Sequence, residues 1–299
     1  MRAPKSKRSA KPAAAKKHVA VRKTVSPPRK ALAQDVSIQV CHLNSSNKPI
    51  TRADSVVREE PLEIRVRGQS VAITMRTPGN DAELAAGFLL SEGLICGRGD
   101  IIEIAECTGA ATPENTLNVF VAPKVNVDFA RLTRHVFTSS SCGLCGKASI
   151  EEAHQHFPPA TSKETISRRI LAALPKRMLA AQRTFERTGG LHGAGIFDLT
   201  GKLLVLREDV GRHNAVDKAL GWGFLEDRLP FDAHVLMVSG RASFEILQKA
   251  LAAKVPIVAA VSAPSSLAVE FARESNQTLV GFLRGETMNV YSGLERITD

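Results

Sequence analysis

The sequence predicts an α/β fold, with a largely parallel sheet covered by helices in the C-terminal half and a smaller α+β unit before it. Two observations carry this. In the second half the strand-like runs "KLLVL" (202–206), "HVLMVSG" (234–240), "VPIVAAVSAP" (255–264) and "QTLVGFLRG" (277–285) alternate with helix-like stretches. Residues 36–135 instead offer short alternating segments around a single helix.

The chain opens on a tail. Residues 1–35 hold eleven Lys or Arg and one acid; removing these from 40 basic and 30 acidic residues leaves twenty-nine of each in the remainder. The tail is rich in Lys, Ala and Pro and nearly free of large apolar side chains. It buries too little surface to offset its ordering entropy, so disorder is expected over 1–35. Its charge permits non-specific contact with RNA or acidic partners, and its composition also resembles an organelle transit peptide. The charge-balanced body is not expected to bind nucleic acid.

Within 36–135, "PLEIRVRGQSVAITMR" (61–76) reads as two alternating strands around "RGQ". In "NDAELAAGFLLSEG", Asn80 is placed to cap a helix, Glu83 to complete a capping box and Gly93 to stop it. "DIIEIAEC" and "NTLNVFVAP" add two strands. Residues 136–147 form a loop carrying Cys142 and Cys145, and 148–299 complete the larger unit.

In that larger unit, "SGRASFEI", "SAPSSLAVEF" and "FLRGETMN" place small, polar or basic residues just past strand ends. Ligands of open α/β sheets sit there, and helix N-termini at such points present free N–H groups suited to phosphate. With Arg241 and Arg284 these segments predict an anion-binding crevice. "REDVGRHNAVDKALGW" (207–222) packs seven charged or imidazole side chains into twelve positions and predicts a helix opening near Asn214. Those residues either pair with each other on a solvated helix start, or Gly211 lets the loop present Arg212 and His213 to a phosphate-bearing ligand. In "GGLHGAG" (189–195), His192 is either a ligand contact or a packed core histidine.

Five cysteines at irregular spacing do not form a disulfide framework. With no apolar run of 18 residues and no signal-peptide core, the expectation is a cytoplasmic chain with free thiols and no membrane segment. "TSSSCGLCGKASIEEA" (138–153) leaves three chemistries open. A zinc site would need Cys96, Cys107, His135 or His154 to complete it. A redox pair would normally head a helix after a strand. A sulfur-carrying thiolate would be stabilised by the following helix start and by Lys147. Burial of both thiols is the plain structural reading.

The motifs "SSSCGLCGK", "REDVGRHNAVDK", "SGRASFEILQKA", "VSAPSSLAVEFA" and "GFLRGETMNVY", preceded by "EEPLEIRVRG" and "AAGFLLSEGLI", together resemble the FdhD/NarQ family of formate dehydrogenase accessory sulfurtransferases. The resemblance runs from about residue 55 to 299 and excludes the tail. It implies a cytoplasmic, dimeric sulfurtransferase with a cytidine-deaminase-like fold. Such a protein takes persulfide sulfur from a cysteine desulfurase and delivers it to a molybdenum (or tungsten) cofactor bearing two molybdopterin guanine dinucleotides, destined for formate dehydrogenase. By the resemblance, Cys142 forms the persulfide, Cys145 is its partner and Phe282, Leu283, Arg284, Gly285, Glu286 and Thr287 belong to the cofactor-binding segment. Arg212, His213, Gly240, Arg241, Ser243 and His192 are the further expected contacts; no bound zinc is expected. Zinc deaminases need His-x-Glu, whereas Ala194 stands two after His192. A cofactor-binding chaperone and a thiol–disulfide oxidoreductase are the alternatives.

Overall fold

The computed structural model describes residues 33–43, 49–129, 151, 153 and 157–299. Residues 1–32 of the expected tail and the whole 136–147 loop, with Cys142 and Cys145, lie outside these. Strands β1 (Asp35–Leu43) and β2 (Pro49–Val57) form an antiparallel ribbon. The predicted hairpin is present as β3 (Glu60–Val66) and β4 (Gln69–Arg76). Its two turn residues, Arg67 and Gly68, have φ of 50° and 82°, the sign that matches the strands' twist. After α1 (Asp81–Ser91), β5 (Ile101–Glu106) and β6 (Thr116–Val121) complete a sheet ordered β4-β3-β6-β5, with β3 parallel to β6.

The two ends of α1 differ from each other. Asn80 stands at the N-cap but is left-handed (φ 59°) and makes no side-chain cap. Glu83 does not close a capping box; its carboxylate pairs with Arg207. An ion pair to another part of the molecule has displaced the local bond. Gly93 (φ 71°) does end the helix, its N–H bonding Leu90 O while Leu94 N–H bonds Leu89 O.

The second half contains β7 (Ile166–Ser167), α2 (Arg168–Ala181), α3 (Arg183–Thr188), β8 (His192–Asp198) and β9 (Leu203–Asp209). Then follow α4 (Arg212–Leu225), β10 (His234–Val238), α5 (Phe244–Ala252), β11 (Ile257–Ala260), α6 (Ser266–Glu274), β12 (Thr278–Arg284), β13 (Thr287–Ser292) and β14 (Ile297–Thr298). Six strands form a sheet ordered β13-β12-β11-β10-β8-β9. Only β10, β11 and β12 run parallel; β8, β9 and β13 are antiparallel to their neighbours. The sheet is therefore mixed rather than largely parallel, because tight turns after β8 and β12 bring the chain straight back alongside.

Both faces of this sheet are covered, which explains the continuous apolar runs. Leu236 and Val238 of β10 join the cluster that contains α4, α5 and α6, while Val235 and Met237 join the one built on Leu171, Leu174 and Met178 of α2. The first cluster extends without a break through α1 to Leu62, Ile64 and Val66 of the smaller sheet. Where α1 crosses α4 the backbones almost touch. A Cβ on Gly221 would lie 1.8 Å from Glu83 O, and one on Gly87 would lie 1.9 Å from Asp217 O. No helix among the described residues is long and apolar enough to cross a membrane.

Gly221→Ala would force this crossing apart. Urea denaturation should show a loss of about 3 kcal/mol, the upper range for overpacking; a loss below about 1 kcal/mol would mean the helices separate freely.

Candidate functional site

β10, β11 and β12 end on one side of the large sheet. β8 begins and β9 ends on that side too, since Ala194 pairs with Val238 and His192 with Asp209. Topology thus brings His192, Arg212, His213, Gly240, Arg241 and Ser243 to one end. Gly240 is the closest junction: a Cβ there would sit 3.2 Å from His192 Nδ1 and 3.6 Å from Arg212 Cβ. Any larger residue would fill the space between the imidazole and the arginine.

Hydrogen bonds join the strand-end loops into a ledge. Gly193 N–H donates to Ser239 Oγ (2.9 Å) and Ser239 N–H to Gly193 O (3.0 Å). Ala242 N–H donates to Ala263 O (3.2 Å), Ser265 N–H to Ala242 O (3.0 Å) and Phe282 N–H to Ser262 O (3.1 Å). Ser265 also caps α6, accepting from Ala268 N–H. Along this ledge β12 lies three strand spacings, roughly 14 Å, from β8.

The 282–287 segment divides in two. Leu283 is fully buried in the core cluster shared with α2, so its side chain is packing. Phe282 is 40% exposed and held at φ 51°, a conformation uncommon for a bulky residue. Arg284, Gly285, Glu286 and Thr287 form the exposed β12–β13 turn, in which Thr287 Oγ donates to Arg284 O (2.9 Å).

The charge-dense segment 207–218 is mostly structural. Arg207 pairs with Glu83, and Glu208 accepts from the Thr184 and Phe185 N–H groups. Asp209 meets Lys218 at 2.6 Å and Asp217 meets Lys249 at 2.8 Å, all four residues buried. Asn214 is not the cap, because α4 already starts at Arg212 with Gly211 before it. Its buried amide instead donates to Met75 O (2.7 Å) and Asp209 Oδ1 (3.1 Å). Gly211 serves space rather than torsion: its φ is −91°, but a Cβ would lie 2.9 Å from Asn214 Nδ2.

Among the described residues, Arg212 Nε at this end of the sheet is buried without a hydrogen-bond partner, and Arg241 is exposed. His213 Nε2 lies 3.2 Å from Ser243 Oγ and 2.9 Å from the Glu245 carboxylate. The His213 hydrogen bond pulls Glu245 down to about 2 against the opposing effect of burial. Ser239 and Glu245 were not individually legible as site residues, although "SGRASFEI" marks their neighbourhood, whereas Asp209 and Lys218 belong to "REDVGRHNAVDKALGW", whose charges were read as either pairing with each other or serving a ligand.

The same architecture spans a known family. Residues 57–298 match the model of the FdhD/NarQ family. The chain belongs to that family. FdhD/NarQ relatives include the Sulfur carrier protein FdhD of Mycobacterium tuberculosis, 51% identical over 270 residues that cover 87% of this chain and 97% of that one. The protein of the same name from Streptomyces coelicolor is 53% identical over 254 residues, covering 83% and 90%. A solved structure from Desulfotalea psychrophila, provisionally described as a formate dehydrogenase accessory protein, superposes with a TM-score of 0.71 at 26% identity, covering 89% of this chain and all of that one.

The glycines around His192 have packing reasons in this FdhD/NarQ chain. A Cβ on Gly193 would meet Gln182, and one on Gly195 would meet Phe197. Among the described residues no group of three His, Cys, Asp or Glu side chains is arranged to hold a metal ion. Cys96 lies between α1 and β5 and Cys107 just after β5; His135 and His154 are outside the described residues.

His192 is half-buried, and burial first, then the charges of Arg212, His213 and Arg241, hold its pKa below the ordinary 6.5. The neutral imidazole therefore belongs to the folded state. Its stabilising contribution is complete above about pH 6.5 and is lost as pH falls through the lowered value. An NMR titration of the imidazole protons should place His192 below 6.5, and Arg212→Gln should raise it. A value unchanged by Arg212→Gln would separate the two side chains electrostatically.

Proposed function

We propose that this chain is a sulfur carrier in formate dehydrogenase maturation, holding sulfur on Cys142 and offering it to a guanine-dinucleotide molybdenum (or tungsten) cofactor seated in the strand-end crevice. The observation that carries the crevice half of this reading is the buried Nε of Arg212, which has no partner among the described residues, since a donor left unsatisfied costs free energy until an acceptor arrives. A pyrophosphate is such an acceptor. The neighbouring helix start and Arg241 add to the attraction. Phe282, exposed and conformationally constrained, offers a flat face to a base, and the Arg284–Thr287 turn flanks it. The names of the close relatives support the sulfur half.

The transfer chemistry is thiolate exchange. Cys142 thiolate attacks the outer sulfur of a cysteine desulfurase persulfide, the S–S bond breaks and the desulfurase leaves as its thiolate. Cys145 thiolate then attacks the inner sulfur of the Cys142 persulfide. The outer sulfur leaves as sulfide toward the metal, and the resulting Cys142–Cys145 disulfide is reopened by a cellular thiol. We place this in the cytoplasm, with the chain working as a homodimer between the desulfurase and formate dehydrogenase. We further read the large sheet as cytidine-deaminase-like, a reading supported by its parallel central trio and helices on both faces. The absence of a carboxylate at Ala194 fits sulfur transfer and not deamination.

Intact-protein mass spectrometry after incubation with a cysteine desulfurase and cysteine should show a gain of one sulfur that vanishes in Cys142→Ala. No gain with an active desulfurase would sink the carrier reading. For the crevice, Arg212→Gln should weaken guanosine diphosphate binding roughly 10- to 100-fold by calorimetry, and unchanged affinity would remove Arg212 from the ligand.

A further inference from the structure

Asp209 ends β9 at the sheet edge and is fully buried. Its carboxylate collects four donors from three separate segments. Oδ1 accepts from Gly211 N–H (2.8 Å) and the Asn214 amide (3.1 Å). Oδ2 accepts from Thr77 N–H (3.1 Å) and the Lys218 ammonium (2.6 Å). Thr77, also fully buried, uses every polar group it has: its N–H goes to Asp209, its Oγ accepts from Val210 N–H (3.2 Å) and its carbonyl from Lys218 (2.7 Å).

One carboxylate thus joins the end of β4 in the small sheet, the turn before α4 and the first turns of α4 itself. Arg212 lies inside that clasp, one residue after Gly211, and its side chain makes no use of it. The Asp209 bonds are therefore spent on where the backbone of residue 212 sits rather than on satisfying its guanidinium.

We infer that Asp209, anchored by Thr77 and Lys218, is the positioning residue that aims Arg212 into the crevice and so couples the seating of the small sheet to anion binding. This rests on the crevice reading given above. Asp209 touches no ligand; it acts through the Gly211–Arg212 turn. Asn could not replace it, because an amide supplies one accepting oxygen where two are used and would turn its NH₂ against existing donors. A purely structural role is distinguished by the neighbouring Asp217–Lys249 pair, also buried, in which Asp217 of α4 bonds Ser91 and Lys249 of α5 rather than the turn.

The experiment compares the wild type with Asp209→Asn, Gly211→Ala and, as a matched control, Asp217→Asn. Gly211→Ala leaves every buried charge in place yet pushes a methyl to within 2.9 Å of Asn214 Nδ2, so it keeps the test open should Asp209→Asn not fold. Two readouts are taken on each folded variant: the calorimetric affinity for guanosine diphosphate, and the NMR titration of His192, which is faced by Arg212, His213, Arg241 and Asp209. Asp209→Asn and Gly211→Ala should each lose roughly tenfold or more in affinity; Gly211→Ala, which leaves the Asp209 charge in place, should also raise the His192 pKa as Arg212 moves off, whereas Asp209→Asn removes a carboxylate that itself raises that pKa. Asp217→Asn should lose stability alone. Identical His192 titration in Gly211→Ala and in the wild type would overturn the positioning role, as would unchanged affinity in Asp209→Asn or an equal effect in Asp217→Asn. If the wild type binds no guanosine diphosphate, the crevice reading fails by itself, and the His192 titration still decides the role of Asp209.

Discussion

Two carboxylates buried on opposite flanks of the first turns of α4 set the arrangement of the whole molecule. Asp209 and Asp217 have no water to solvate them, and an ionised carboxylate in that setting is tolerated only where its partners are in place. Lys218 and Lys249 supply the counter-charges, while Thr77 and Ser91 reach in from the β4 end and from α1. Those two polar residues belong to the smaller unit. The relative seating of the two sheets is therefore specified by charge pairing and not only by apolar contact, which would tolerate sliding. The glycine crossing of α1 over α4 makes the same demand sterically, since the backbones can approach only where Gly87 and Gly221 face each other's helix.

The crevice inherits this order and shows the opposite economy. Elsewhere the described arginines near the seam are satisfied: Arg76 is paired with Asp81 and Glu60, and Arg207 with Glu83. At the strand ends Arg212 Nε has no partner among the described residues, Phe282 holds a φ of 51° and Gly240 leaves room beside the His192 imidazole and Arg212 Cβ. Buried unpartnered nitrogens also occur at Gln182 and His234, so it is the gathering of these three features at one end of the sheet that marks the candidate site.

What was legible in the sequence follows from how each element is stabilised. The β10 to β12 strands announce themselves because most of their residues are apolar and buried on both faces. β8 does not, since its signal is the absence of side chains: Gly193 and Gly195 make room for Gln182 and Phe197, and in sequence they read as a loop. β1 and β2 escape notice because most of their side chains are exposed and their pairing is mainly backbone, with one side-chain bond from Ser55 to Asp35. The helix α2 carried a readable stripe in Leu171, Leu174 and Met178. Asn214 was misplaced as a cap because its type suits one; only the fold reveals that a buried amide is required between Met75 O and Asp209. The crevice loops were visible as punctuation, but composition could not say which charges of 207–218 face inward. The structure gives most of them to the core and leaves Arg212 to the site.

In the proposed crevice the attraction for anions would rest on Arg212 and Arg241. Burial, then the neighbouring charges of Arg212, His213 and Arg241, hold the His192 pKa below its ordinary value. His213 is matched by Glu245, whose carboxylate, held near 2, is ionised at any physiological pH. With one imidazole neutral and the other answered, the net positive field falls to Arg212 and Arg241, and guanidinium groups stay charged throughout. Such a field serves a ligand whose charge is permanent, as a diphosphate's is, and would serve poorly a ligand bound through proton exchange. A positive potential of that kind would also lower the pKa of any thiol brought beside it, so the charges that favour a bound anion would favour the thiolate as well.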